Sequence, residues 1–166
     1  MIFLFYPASF LPHKNHEFLL NENFKNLCNY YSIIIQITIK EDEFLTFPPS
    51  SHLNNIKRNS RNTILEYMKD ATALLFLSSF ESLGLPLIEA ALLDKPVICP
   101  DLDYSRELLG DSAYYFDLNN FDHSFGMIIR NFLADYSSSL QRNAILMPPV
   151  VNIDDTIERF FNVLGV

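Results

Sequence analysis

Residues 73–93 constrain the fold more than any other stretch. The apolar run 73–77 (Ala73, Leu74, Leu75, Phe76, Leu77) reads as a buried strand, and polar Ser78 and Ser79 close it, so the pattern predicts a turn and then a helix opening near Pro86. Proline suits the start of a helix, where its fixed φ and missing N–H cost nothing. The predicted helix, 86–93, is apolar on nearly every face (Leu87, Ile88, Ala90, Ala91, Leu92), the pattern of a helix packed inside a domain. Glu89 sits in its middle. A carboxylate in such a place must meet hydrogen-bond donors or hold a proton, and a row of ligand hydroxyls supplies donors.

The turn before this helix adds a second feature. N–H groups from Leu83 to Leu87 are expected to point out of the helix start, beside the C-terminal end of a strand, where open α/β sheets bind ligands and a phosphate is favoured. Gly84 permits close approach of backbone or ligand. Glu81 and Glu89 then flank one crevice. Strand, glycine turn and carboxylate in a buried helix together point to a nucleotide-like ligand.

The remaining chain repeats strand and helix. Residues 2–6 form an expected first strand, continuous and apolar as parallel strands are, and a two-proline loop over 7–13 leads to an expected helix over 15–28. The isoleucine-rich segment 32–39 is the clearest second strand. Residues 40–60, rich in Pro, Ser and Asn, read as a long loop with one short strand near Ile56, and Lys57, Arg58 and Arg61 form a basic cluster there. Asn62 or Thr63 is the expected cap of a short helix to Lys69, with Glu66 completing a capping box. Strand 96–99, helix 104–109 stopping at Gly110, strand 113–116 and helices over 122–134, 137–146 and 154–164 complete the order. In the last helix Ile157, Phe160, Phe161 and Leu164 make an apolar stripe. Alternation of strand and helix implies a Rossmann-like three-layer α/β/α sandwich on a parallel sheet, with residues 1–166 as one domain.

Composition excludes several classes. A net charge of −8 with no basic run argues against nucleic acid as a partner. The two cysteines, Cys28 and Cys99, lie far apart among apolar neighbours, as buried reduced core residues do. His13 and His16 stand three apart, yet no third ligand of suitable spacing accompanies them, so no metal is expected. The apolar opening, residues 1–5, is too short for a membrane span and lacks a basic leader; no transmembrane segment is expected, and a cytoplasmic location is. With four glycines and no Gly-x-Gly-x-x-Gly turn, a dinucleotide oxidoreductase is excluded.

The segment Phe80-Glu81-Ser82-Leu83-Gly84-Leu85-Pro86-Leu87-Ile88-Glu89-Ala90, followed by Lys95-Pro96-Val97-Ile98, resembles the donor-sugar signature of family 4 (group 1) glycosyltransferases. These are retaining enzymes of the GT-B fold, and the signature lies in their C-terminal lobe. Further pieces match in order: Tyr6-Pro7, His13-Lys14-Asn15, Thr63-Ile64-Leu65-Glu66-Tyr67, Arg106-Glu107-Leu108 and Gly110-Asp111. The resemblance covers nearly the whole chain and implies a donor-binding lobe whose acceptor-binding N-terminal lobe is absent from it.

By this resemblance Lys14 and Glu81 are the catalytic candidates, Lys14 neutralising the donor diphosphate and Glu81 holding the sugar hydroxyls. Glu89 holds the ribose hydroxyls, and the amides around Leu83, Gly84 and Leu85, with Ser82 and His13, complete donor binding. No metal or other cofactor is implied, since amides and Lys14 stabilise the leaving nucleoside diphosphate. Retention in the family is explained by front-face attack assisted by that phosphate, without a protein nucleophile. One departure stands out: many members carry a Gly-Arg pair shortly before the lysine, where this chain has Pro7-Ala8. Either His13 or a later arginine substitutes, or donor binding is weaker.

The implied function is hexosyl transfer from a nucleotide-diphosphate sugar to a glycan or lipid-linked acceptor, in bacterial surface-polysaccharide or glycoconjugate synthesis, cytoplasmic or peripheral at the inner face of the membrane, with a separate acceptor-binding lobe or chain as partner. The alternative is a non-catalytic remnant or nucleotide-binding module of the same fold. A nucleotide-sugar epimerase is a third reading, and the Glu-Ser-Leu-Gly-Leu-Pro context argues against it.

Overall fold

The computed structural model describes residues 1–57, 60–141, 158–159 and 161–162. Six strands form one sheet: β1 (Ile2–Tyr6), β2 (Ile33–Ile37), β3 (Leu53–Asn55), β4 (Ala73–Leu75), β5 (Val97–Pro100) and β6 (Tyr114–Phe116). Their order is β3-β2-β1-β4-β5-β6 and every pairing is parallel. Helices α1 (Glu22–Tyr31), α2 (Glu41–Phe44), α3 (Arg61–Asp70), α4 (Leu85–Leu92) and α5 (Asp103–Leu109) make the crossovers, and α6 (Phe121–Gln141) follows β6. Right-handed crossovers place α1 on one face and α3, α4 and α5 on the other. α6 returns to pack on α1, giving the expected α/β/α layers.

Both faces of the central strands are covered, so their residues are apolar without alternation. Leu4, Phe5 and Tyr6 of β1 are fully buried, as are Ala73, Leu74 and Leu75 of β4. In register, Leu4 lies between Ile35 of β2 and Ala73 of β4. Each large side chain so enclosed contributes roughly 1.5–3 kcal/mol of transfer free energy. Between α1 and α6 the core is aromatic: Phe121 stacks on Phe18 at 4.3 Å and on Phe125 at 5.0 Å, with Phe24 beside them. Cys28 and Cys99 are both free and buried.

Local chemistry moves several boundaries. The helix expected over 15–28 is instead two 3₁₀ turns, Pro12–Lys14 and His16–Leu20, followed by α1. Asn15 between the turns adopts the left-handed region (φ 52°), which asparagine tolerates, and Asn21 caps α1 by accepting from the N–H of Asn23 and Phe24. His13 and His16 therefore share no helix face. The loop over 40–60 contains a one-turn helix, α2, whose Glu43 carboxylate accepts the Lys40 N–H at 2.9 Å, as well as strand β3 just before Ile56. Ser60, not Asn62 or Thr63, caps α3, accepting from the Thr63 N–H.

The two helices expected over 122–134 and 137–146 are one through Gln141. The serine-rich stretch 137–139 is accommodated within it, with the Ser139 hydroxyl donating to the Tyr136 carbonyl one turn back. The expected last helix, 154–164, and its apolar stripe lie largely outside the described residues, as does the end of the segment 137–146.

Candidate active site at the reversal of strand order

Chain order turns back between β1 and β4: β1 leads to β2 and β3 on one side, β4 to β5 and β6 on the other. Loops that leave adjacent strands in opposite directions open a crevice at their C-terminal ends, where ligands of doubly wound sheets bind. Here the crevice is framed by residues 7–15 after β1 and 76–84 after β4.

The two loops are tied together by backbone and side chain. Asn15 donates its side-chain amide to the Leu77 carbonyl at 2.7 Å. The His13 carbonyl accepts the Ser79 N–H at 2.8 Å and the Ser79 hydroxyl at 3.3 Å. Tyr6, at the buried end of β1, donates its phenol to the Lys14 carbonyl at 2.5 Å, and burial pushes that phenol's pKa well up, so it remains a donor. Tyr104 of α5 donates to the Ser78 carbonyl at 2.6 Å from the far side.

This scaffold delivers Lys14 to Glu81. Their ion pair joins the β1 loop to the β4 loop, with each side chain 14% exposed. The Lys14 ammonium also lies 5.8 Å from the centroid of the Phe76 ring. Glu89, on the second turn of α4, has a cation of its own: Arg61, the first residue of α3, reaches its Oε1 at 2.6 Å. The Glu89 side chain is 15% exposed and that of Arg61 69%. The two acidic positions read from sequence thus each carry a basic partner from another segment of the chain.

Gly84 ends the turn as the N-cap of α4, in the left-handed region at φ 56°. Glycine is favoured there by the left-handed conformation, and a Cβ would stand 2.8 Å from the terminal Cδ1 of Leu108, which would have to shift. Pro86 occupies the first turn as expected. The set of outward amides is smaller than the sequence suggests. Pro86 has no N–H, and the Leu87 and Ile88 N–H groups turn back to the Gly84 carbonyl at 2.8 and 3.4 Å. Leu83, Gly84 and Leu85 remain as the amides at the mouth.

Ser82 is exposed beside them, and the His13 ring is half-buried while its carbonyl braces Ser79. His16 is buried, its ring 5.0 Å from Tyr6 and 5.4 Å from Phe10, and neither ring nitrogen has a hydrogen-bond partner. Among the described residues, no three His, Cys, Asp or Glu side chains form a group fit for a metal ion. Also among them, no helix is long and apolar enough to cross a membrane. Glu107 is exposed. Asp111 accepts from Arg106, whose guanidinium grips Asp101 at 2.6 and 2.9 Å and stacks on Tyr115, a brace for α5.

The family model for group 1 glycosyl transferases matches residues 2–145. The chain belongs to this family. Solved glycosyltransferase structures share its fold at low sequence identity, and the Rossmann-like GT-B fold expected from the sequence holds. TarM aligns with a TM-score of 0.63 at 15% identity, covering 99% of this chain and 35% of its own. The pneumococcal O-GlcNAc transferase GtfA, solved with UDP and GlcNAc, aligns with a TM-score of 0.61 at 15% identity, covering 99% and 34%. The catalytic domain of cholesterol-alpha-glucosyltransferase from Helicobacter pylori aligns with a TM-score of 0.64 at 14% identity, covering 99% and 98%. The chain thus spans about a third of the length of TarM and GtfA. No curated protein matches the sequence.

Lys14, Glu81, Gly84 and Glu89 are the positions that the sequence singles out at this crevice; the braces around them are not legible in it. Asn15 and Tyr6 act through backbone carbonyls, which leave no spacing pattern. Arg61 was visible only as one of three basic residues in a loop.

Proposed function

We propose that this chain is the donor-binding lobe of a retaining hexosyltransferase, holding a nucleotide-diphosphate sugar while an acceptor lobe, on the same polypeptide or a partner, presents a glycan or lipid-linked hydroxyl. One observation carries the reading: Lys14 and Glu81 meet across the reversal point of the sheet, beside the glycine-capped start of α4. That arrangement puts a compact cation, outward amides and a carboxylate in one place.

Lys14 neutralises charge on the leaving diphosphate, together with the amides of Leu83, Gly84 and Leu85. Glu81 accepts hydroxyls of the donor sugar, and Glu89 accepts those of the ribose. Exposed Ser82 and half-buried His13 border the diphosphate. With this cationic and amide set no metal or other cofactor is needed. GtfA was solved with UDP and GlcNAc, and a GtfA/B complex is a neighbour too, which supports a nucleotide-sugar ligand and a further component. The role extends to bacterial polysaccharide or glycoconjugate synthesis, in the cytoplasm or at the inner membrane face.

Calorimetric titration with UDP, GDP, ADP and CDP, and then with sugar forms of the best, tests this. Saturable binding to one base, abolished by Glu89→Ala in a folded protein, is expected. No binding to any of the four overturns the reading for the lobe alone. The second reading, a nucleotide-binding module without transfer activity, is favoured by Pro7-Ala8 standing where many members carry Gly-Arg. Binding without sugar transfer to any acceptor, in the presence of an acceptor lobe, would select it.

A further inference from the structure

We propose that Arg61 is the positioning residue for the Glu89 carboxylate, holding it so that a vicinal diol of the ligand is read as a pair of hydroxyls. The inference rests on the reading of Glu89 as the group that meets the ribose. α3 and α4 lie on the same face of the sheet, and each begins at its C-terminal edge, so Arg61 at the first position of α3 stands at the rim of the crevice. Its guanidinium approaches Glu89 from solvent and binds Oε1.

Two consequences follow from this geometry. First, α4 offers the carboxylate little else: Leu87, Ile88, Ala90 and Ala91 around it are buried and apolar, and among the described residues Arg61 is the ionic partner given to Glu89. A largely enclosed carboxylate without a cation is costly, so the pair stabilises the side chain where it stands. Second, the contact is to one oxygen. Oε2 and the second lone pair of Oε1 stay available, and two adjacent hydroxyls can donate to them. The site repeats one device on both flanks, since Lys14 stands to Glu81 as Arg61 stands to Glu89.

The test is calorimetric titration of the full chain and its Arg61→Ala and Arg61→Lys variants. Each is titrated with the best-binding nucleoside diphosphate and its 2′-deoxy and 2′,3′-dideoxy forms, after circular dichroism shows equal folding. Arg61→Ala is expected to lose about tenfold in affinity for the ribonucleotide and less than about twofold for the dideoxy form, so that discrimination collapses. Arg61→Lys should restore part of it. Tighter ribonucleotide binding by Arg61→Ala overturns the proposal, because the arginine then blocks the carboxylate. Equal losses for all three ligands overturn it too, placing Arg61 on the phosphates. A wild type that binds and discriminates, with an Arg61→Ala that does the same, overturns this inference alone. A wild type that binds no nucleotide removes the donor-lobe reading, and the inference falls with it.

Discussion

Lys14, in the loop after β1, is ion-paired with Glu81, in the loop after β4, so one contact bridges the two directions in which the sheet is wound. On the proposed donor-lobe reading, an arriving diphosphate competes with Glu81 for the ammonium, and the sugar hydroxyls then replace Lys14 as donors to Glu81.

Opposite changes at the two residues should therefore have different effects. Lys14→Ala removes a charge-assisted contact and is expected to weaken nucleoside diphosphate binding by roughly 10- to 100-fold. Glu81→Ala frees the ammonium and should leave nucleoside diphosphate binding unchanged or tighter, while erasing any preference for the sugar form. Calorimetry with both ligands separates them. Equal losses in both variants would reduce the pair to a clip between loops.

Asn15 holds the loop that presents Lys14. Its left-handed backbone suits asparagine or glycine, and its side chain reaches the Leu77 carbonyl at 2.7 Å. Asn15→Ala loses both advantages and is expected to cost about 1–3 kcal/mol in urea denaturation. Asn15→Gly keeps the conformation and loses only the bond, so it should cost less than alanine. An alanine variant as stable as wild type would show that the loop tie is unimportant.

These braces explain what the sequence makes legible and what it hides. Residues 73–77 and 32–39 announce themselves as strands because parallel strands covered on both faces must be apolar, and Gly84 to Glu89 is legible because a carboxylate in an apolar helix needs a reason. The division of 15–28 was hidden because Asn15 and Asn21 act through local side-chain and backbone geometry, not hydrophobic period. α2 escaped notice because one turn carries no periodicity. The pairing of Arg61 with Glu89 is set by the packing of α3 beside α4, a tertiary fact that no spacing encodes.

Gly84 links stability to binding. Gly84→Ala forces a side chain into φ 56° and places its Cβ 2.8 Å from Leu108 Cδ1. The backbone term alone is about 1–2 kcal/mol, and Leu108 must move as well. The variant should melt at lower temperature and also lose nucleotide affinity, because the amides of Leu83 to Leu85 turn with the cap. A stability loss with unchanged affinity would separate the cap from the ligand.

The buried His16 imidazole makes the fold sensitive to acid. Burial, and then the nearby Lys14 charge, lower its pKa from 6.5 to about 4. The unfolded chain therefore binds a proton near pH 6.5 that the folded chain refuses until about pH 4. Between those limits the unfolded state holds more protons, so stability falls as pH falls, and outside them His16 contributes no slope. Each unit of separation corresponds to about 1.4 kcal/mol, which keeps the His16 share below about 4 kcal/mol. His52, lowered by its own burial, acts in the same direction, so a single curve does not isolate either residue. The difference does: urea denaturation of wild type and His16→Phe at pH 7.5 and pH 5 should show wild type losing about 2 kcal/mol more than the variant. Parallel losses would mean that the ring gains a proton without leaving its place, and that burial at this site does not penalise the charged form.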